Sequence, residues 1–428
     1  MNREIIRSEK LREEYVKIDH PSGLTMLLCP MEGYSTSYAM FTTKYGSVDC
    51  CFKTNLQPDY FEIPAGTAHY LEHKMFESEE GDAFNRFAKL GASPNAFTSF
   101  DKTSYLFACS DNFKETLEIL LDMVSTPYFT PETVAKEQGI IGQEIGMYDD
   151  SPDWRVMFNL LESLYVNHPV KLDIAGTVET IAEITDKTLY RVYDTFYHLS
   201  NMVLTVAGNF KVEEVLEVAD RVLKKGENIE ISRKVPEEPA EIAKKYVEQQ
   251  LPVATPLFCI GFKGKDMGNR KNFENMILDE MIIDLVCGEM TPLYRSLYED
   301  GLINNGLNGE VMASRDYIHS MIEGESRDPK EVYRRLLAEI ERLKVCGFDE
   351  EMFARSKKGT YGRYIGLYSK PESIASVMCN TYFADMTLYE LLDLVAGITK
   401  EQLEARMKEN LLEEYSALSV VSAQPMEG

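Results

Sequence analysis

The sequence predicts a duplicated α+β protein: two homologous units, each a mainly antiparallel sheet with helices packed on one face, joined by a linker. Three observations lead there. Alternating apolar segments give way to helical patterns, and a block of helices starting at Asp111 recurs at Asp328. Between the copies lies ENIEISRKVPEEPAEIAKKY, polar and interrupted by two prolines, which reads as the linker. The boundaries read from these shifts are 1–225, a linker over 226–246, and 247–428.

Each element has a local cause. GLTMLLCPM (23–31) alternates like a half-buried strand after a Pro21-Ser22-Gly23 turn, and TSYAMFTTKYGSVDC (36–50) does so after Gly33. Short helices are expected over Thr67–Phe76 and Asp82–Leu90, then a strand region in NAFTSFDKTSYLFACS (95–110). Longer helical patterns cover Asn112–Ser125, Pro131–Tyr148 and Asp153–Tyr165. A helix over Asp186–Phe196 leads to the apolar strand MVLTVAG (202–208). Helix Val212–Leu223 ends at Lys224-Lys225-Gly226, where basic residues and glycine suit a C-terminus.

The repeat is visible in two blocks. DNFKETLEILLDMVSTPYFTPETVAKEQGIIGQEI (111–145) stands beside DPKEVYRRLLAEIERLKVCGFDEEMFARSKKGTYGRYI (328–365). IAEITDKTLYRVYDTFYHLSNMVLTVAG (181–208) stands beside LVAGITKEQLEARMKENLLEEYSALSVVSA (394–423). The period, about 215 residues, is too long for a solenoid and marks a duplicated domain. Aligning Phe129 with Phe348 sets Ser356 against Glu137 and Arg363 against Glu144. The second copy keeps the scaffold without the acidic pair, so that pair is a candidate for chemistry.

Composition narrows the function. A length of 428 residues with 44% apolar and 27% charged side chains is enough for large cores. A formal charge of −25 argues against nucleic acid or an anionic membrane as partner, and reads first as a solvated acidic surface. The opening MNREIIRSEKLREEY is charged, and no long apolar run occurs, so neither a signal peptide nor a membrane span is expected and the cytoplasm is the expected location. The eight cysteines lack metal-ligand spacing and read as reduced core residues, vicinal Cys50–Cys51 included.

The chemistry concentrates in GTAHYLEHKMF (66–76). On a helix, His69 and His73 lie one turn apart on one face, with Glu72 beside them, while Ala68, Leu71 and Met75 turn inward. His-x-x-Glu-His is the inverzincin order, two imidazoles for one zinc and a carboxylate to accept a proton. An open catalytic site needs a third protein ligand. Glu137 and Glu144, two helical turns apart with Ile140 and Ile141 between them, offer one ligand and one carboxylate to orient a histidine.

Over nearly its whole length the sequence resembles the pitrilysin and mitochondrial-processing-peptidase group of zinc peptidases. The matching elements are HYLEH (69–73), EQGIIGQE (137–144), LGASPNAFTSFDKTSY (90–105), IAGTVETI (174–181) and FYHLSNMVLTVAG (196–208). It looks most similar to the zinc-bearing member of paired peptidases of Gram-positive bacteria. The resemblance implies one zinc per chain on His69, His73 and Glu144, Glu72 as general base, and Glu137 orienting a histidine. It also implies that Asn95, Ala96, Phe97, Thr98 and Ser99 hold peptide by strand addition.

One segment departs from the group. In TPLYRSLYEDGLINN (291–305), Tyr298 stands where the group has an arginine and Asn304 where it has a tyrosine. A paired homologous subunit supplying both is therefore expected, in a heterodimer.

The resulting expectation is a metalloendopeptidase. Its rivals are a non-catalytic structural subunit, which would lose the metal motif, and a peptide-binding module with structural zinc, which would use four protein ligands and more sulfur. His20, His168, His198 and His319 lack partners at ligand spacing and read as surface or hydrogen-bonded residues, and Trp154 reads as core.

Overall fold

The computed structural model describes residues 1–79, 81–226, 229–304 and 306–423. Its first large sheet has seven strands, in the order Asn2–Ser8, Glu13–Asp19, Thr25–Pro30, Met202–Gly208, Ser37–Thr43, Thr103–Cys109 and Ser93–Thr98. The second has five, Tyr246–Leu251, Ser416–Ala423, Leu257–Lys263, Ile318–Glu325 and Asn308–Ala313. In each, the last strand of the copy sits inside the sheet, parallel to one neighbour and antiparallel to the other. Every other pairing within the two sheets is antiparallel. The shared strand order is the duplication read from the sequence, seen as topology.

Helices cover one face of each sheet from the same copy. Phe113–Ser125, Asp186–Phe196 and Val212–Val222 bury Leu117, Leu121, Leu189, Val192 and Val215 against the first sheet. The opposite faces are covered reciprocally. Helix Pro152–Leu164 packs Leu160 and Leu164 so closely on Gly261 of the second sheet that a Cβ there would lie 2.7 Å from Leu160. Helix Pro371–Phe383 returns the favour, burying Ile374, Ala375 and Met378 with Met40, Val203 and Ala207 of the first sheet. Both faces are thus dry, which is why Met202–Gly208 is buried at every residue.

Two expected strands are shorter than their apolar patterns. The 36–50 segment is strand only over Ser37–Thr43; beyond it Gly46 turns the chain, its N–H donating to Asp49 Oδ2 at 3.0 Å. The 95–110 segment is a hairpin, Ser93–Thr98 and Thr103–Cys109, closed by a Ser99 N–H to Lys102 carbonyl bond of 2.8 Å.

The segment between the copies is packed against both. Ile231–Arg233 pairs with Cys51–Thr54. The Arg233 Nε and the Arg315 guanidinium donate to the same Asp49 Oδ1, at 2.7 and 2.6 Å. Glu238 accepts the N–H groups of Val166, Asn167 and His168 and the Lys263 ammonium. These contacts tie first copy, connecting segment and second copy together through buried charge.

The remaining histidines are hydrogen-bonded: His20 to Ser22 and Asp220, His168 to the Val170 N–H, His198 to Ser200, and His319 to the Tyr165 hydroxyl. All eight cysteines are free; five are buried, Cys50 and Cys51 are half-buried, and Cys346 is exposed rather than part of a core.

Because fully buried Asp49 is the shared acceptor of two half-buried guanidinium groups, Asp49→Ala should cost about 3–5 kcal/mol of stability. Urea unfolding measures it; a loss below about 1 kcal/mol would mean that the network behaves as exposed pairs do.

Candidate metal centre

The centre begins with helix Thr67–Lys74. Gly66 starts it at φ 90°, and a Cβ there would meet the Ala175 carbonyl oxygen at 2.4 Å. Gly176 (φ +75°) makes the reciprocal approach, 2.5 Å from the Ala65 carbonyl oxygen to its notional Cβ. Loop 173–177 therefore lies backbone against backbone on the helix start, which only glycine permits. Ala68, Tyr70, Leu71 and Met75 are buried, as the motif's inward face requires. That leaves His69, Glu72 and His73 facing helix Pro131–Asp149.

This second helix starts with a Thr130 cap and Pro131. Val134, Glu137, Ile141 and Ile145 form its buried face. The Tyr70 hydroxyl donates to the Val134 carbonyl and fastens the two helices together. Of the two isoleucines expected to shield the acidic face, Ile141 is buried and Ile140 is 47% exposed.

His73 Nδ1 lies 2.9 Å from Glu137 Oε1. His69 Nε2 stands 3.6 Å from Glu144 Oε1, and His73 Nε2 stands 3.4 Å from Glu144 Oε2. These last two gaps are long for hydrogen bonds. They match the ~3.3 Å separation of two ligands sharing one tetrahedral ion at about 2.0–2.1 Å from each. Donor atoms of His69, His73 and Glu144 all lie within 4.8 Å of one another, and no other group of three His, Cys, Asp or Glu does so among the described residues. Two imidazoles and one carboxylate fit zinc.

The neighbours shift the two histidines in opposite directions. Burial, then the neighbouring His73, lowers His69 to about 4, so its imidazole is neutral at neutral pH, the form in which it could hold a metal ion. Burial would also lower His73, but its bond to Glu137 and the surrounding carboxylates raise it instead. The hydrogen bond to His73 in turn holds Glu137 below the usual carboxylate range. Glu72 is raised by burial, although the Thr98 hydroxyl donates to its Oε2 at 2.7 Å.

The edge strand supplies the rest of the wall. Phe97 is 38% exposed while Thr98 points at Glu72, because side chains alternate. Asn95 is exposed, its Oδ1 accepting the Ala96 N–H. Ser99, expected in the strand, lies in the hairpin turn, its hydroxyl bonded to Asp101. A cavity of about 230 Å³ opens over the cluster between Phe97, Tyr148, Trp154 and Ile174. A second, of about 310 Å³, shares Glu72, His73 and Ala96 with it and reaches Phe84, Asn95 and Ile140.

Two wall residues escaped the sequence reading. Tyr148 donates its hydroxyl to Glu144 Oε1 at 2.5 Å, and Trp154, half-buried and packed on a core as expected, also lines the cavity. The four-residue spacing from Glu144 is a signal for Tyr148; nothing in the sequence places Trp154.

The second copy shows what the fold does without a metal. Ser356 donates to Asp284 Oδ2 at 2.6 Å and Tyr364 to Glu280 Oε2 at 3.0 Å. Carboxylates four residues apart meet hydroxyls there, with Arg363 bonded to Thr360. Tyr298 is 52% exposed, and Asn304 donates to Glu325 at 3.0 Å.

Comparison with known proteins sets this fold beside a family of peptidases. Residues 62–178 match the family model "Insulinase (Peptidase family M16)", and residues 183–360 match "Peptidase M16 inactive domain". An "Uncharacterized zinc protease YmfH" of Bacillus subtilis is 36% identical over 95% of this chain and 96% of its own length. A "Probable mitochondrial-processing peptidase subunit beta" of Arabidopsis thaliana is 26% identical over 51% of this chain and 42% of its own. A "putative M16-like peptidase" from Alicyclobacillus acidocaldarius superposes with a TM-score of 0.92, at 34% identity and 99% coverage of both chains. A Helicobacter pylori protease, 18% identical over 95% of this chain and 99% of its own, shares the fold with a TM-score of 0.80. This chain belongs to peptidase family M16. No described helix is long and apolar enough to cross a membrane.

Trp154 is the chain's single tryptophan and its ring stacks on Tyr148 at 4.4 Å, one hydrogen bond from Glu144. Saturating zinc should therefore change its fluorescence, and His69→Ala should abolish the response. A spectrum unmoved by zinc that elemental analysis finds bound would put the ion elsewhere.

Proposed function

We propose that this chain is a zinc-dependent endopeptidase for peptides or small unfolded polypeptides, acting as the zinc-bearing subunit of a heterodimer. The observation that carries the reading is the convergence of His69, His73 and Glu144 donor atoms within 4.8 Å, with the buried Glu72 lining the same cavity. Three protein ligands leave a coordination position open, as catalytic zinc sites do and structural ones do not. Bound zinc supplies Lewis acidity, which makes water more acidic and a carbonyl more electrophilic.

The chain's own residues divide the remaining work. Glu137 fixes the ring of His73. Thr98 holds Glu72 Oε2, leaving Oε1 to take a proton from the attacking water. The water oxygen bonds to the scissile carbon, the C–N bond breaks, and Glu72 returns the proton to the departing amine nitrogen. Ser93–Thr98 is the outer strand of its sheet, so an extended peptide can pair with its free edge beside Asn95, Ala96 and Phe97. The eight free thiols support a reducing, cytoplasmic setting.

The purified chain should bind about one zinc. His73→Ala or Glu144→Ala should lose it and stay folded, while Glu72→Gln should keep it and lose about 10²–10⁴-fold in rate. Full zinc in both ligand variants, by elemental analysis, would sink the ligand set; near-normal turnover by Glu72→Gln would move the base elsewhere.

The heterodimer rests on Tyr298 and Asn304. A tetrahedral oxyanion needs donors facing the metal, and losing one costs about 10²–10³ in rate. Asn304 is engaged with Glu325, and Tyr298 stacks on Tyr294 at the surface. Peptide hydrolysis by this chain alone should be feeble and should rise by at least that factor with a paired homologue that carries Arg and Tyr at those positions. Efficient cleavage by the chain alone, unchanged by the homologue, would refute the pairing.

A further inference from the structure

We propose that Tyr148 is a positioning residue for Glu144, held by a brace that runs through Trp154 and Asp173 back to the start of the His69/His73 helix. The proposal rests on the zinc reading above and adds the part of the chain that sets the third ligand.

Each link is a direct contact. Tyr148, one helical turn after Glu144, donates to Glu144 Oε1 at 2.5 Å. Its ring lies parallel to that of Trp154, centroids 4.4 Å apart and planes 13° from coplanar. Trp154 Nε1 donates to Asp173 Oδ2 at 2.6 Å. Asp173 Oδ1 accepts the Ala175 N–H at 3.0 Å. Ala175 and Gly176 are the residues that lie against Ala65 and Gly66 at the start of the first helix. The path closes on itself: histidine helix, Glu144, Tyr148, Trp154, Asp173, and the loop that seats the histidine helix.

A carboxylate on a half-exposed helix face has several rotamers, and only those reaching both imidazoles can complete the site. With Oε1 held by the phenol, the rotamer is selected before the metal arrives. The aromatic stack limits the phenol in turn, since two flat rings in parallel contact leave Tyr148 little freedom about χ2. His73 has Glu137 as its outer partner; Tyr148 plays that part for Glu144. Outer partners of this kind set metal affinity by about 10–100-fold.

The test is zinc affinity of the full chain by competition with a chromophoric chelator, alongside the melting temperature of metal-free protein. Tyr148→Phe keeps the ring stack and removes only the hydroxyl. It should weaken zinc about 10–100-fold and leave metal-free melting unchanged. Trp154→Phe, which removes the donor to Asp173, should weaken zinc by a smaller factor. If Tyr148→Phe lowers the metal-free melting temperature, Trp154→Phe decides: weaker zinc with melting retained upholds the brace. Zinc affinity equal to that of the unsubstituted chain overturns it. So does unchanged affinity with lost turnover, which would make Tyr148 a group acting on substrate. Failure of the unsubstituted chain to bind zinc would instead sink the metal reading itself.

Discussion

The site depends on two helices being held face to face, and the bond between His73 and Glu137 shows how. A charge-assisted bond in a half-buried cleft is strong because little water competes for it. It exists only because helix Thr67–Lys74 and helix Pro131–Asp149 are clamped by buried side chains of both and by the Tyr70 hydroxyl on Val134. Once the pair is fixed, His69, His73 and Glu144 project into one cavity between the helices.

The clamp needs a stiff support, and the fold supplies it by exchange. Each sheet is covered on its second face by a helix of the other copy, Pro152–Leu164 in one direction and Pro371–Phe383 in the other. Neither sheet could bury that face within its own copy. Helix Pro152–Leu164 also carries Trp154, so the element that joins the two copies ends at the wall of the candidate metal centre. The packing of the whole chain is thereby linked to the site.

Comparing the copies separates scaffold from chemistry. Both oppose polar groups four residues apart on one helix to partners on another, so the helix pair is a property of the fold. In the second copy these are carboxylates satisfied by Ser356 and Tyr364, which leaves no ligand set. In the first, bases meet carboxylates across gaps that suit an ion.

Much of this was legible in the chain itself. Helical spacing alone puts His69, Glu72 and His73 on one face and Glu137 with Glu144 on another, because side-chain direction follows from 3.6 residues per turn. Capping residues and apolar periodicity marked seven helices of the first copy to within a residue or two, and the repeat was visible in its helix blocks. What stayed hidden depends on contacts between distant segments. Apolar alternation did not reveal that the strand after Ser37 stops at Thr43, since the turn is set by Asp49 and the guanidinium groups of Arg233 and Arg315. Nor could it tell that Ile140 is exposed beside buried Ile141, or that Trp154 faces the site. The sequence by itself determined which residues share a helix face, because that is local geometry. Only the tertiary structure decided which faces meet, because that follows from how two sheets and their exchanged helices exclude water together.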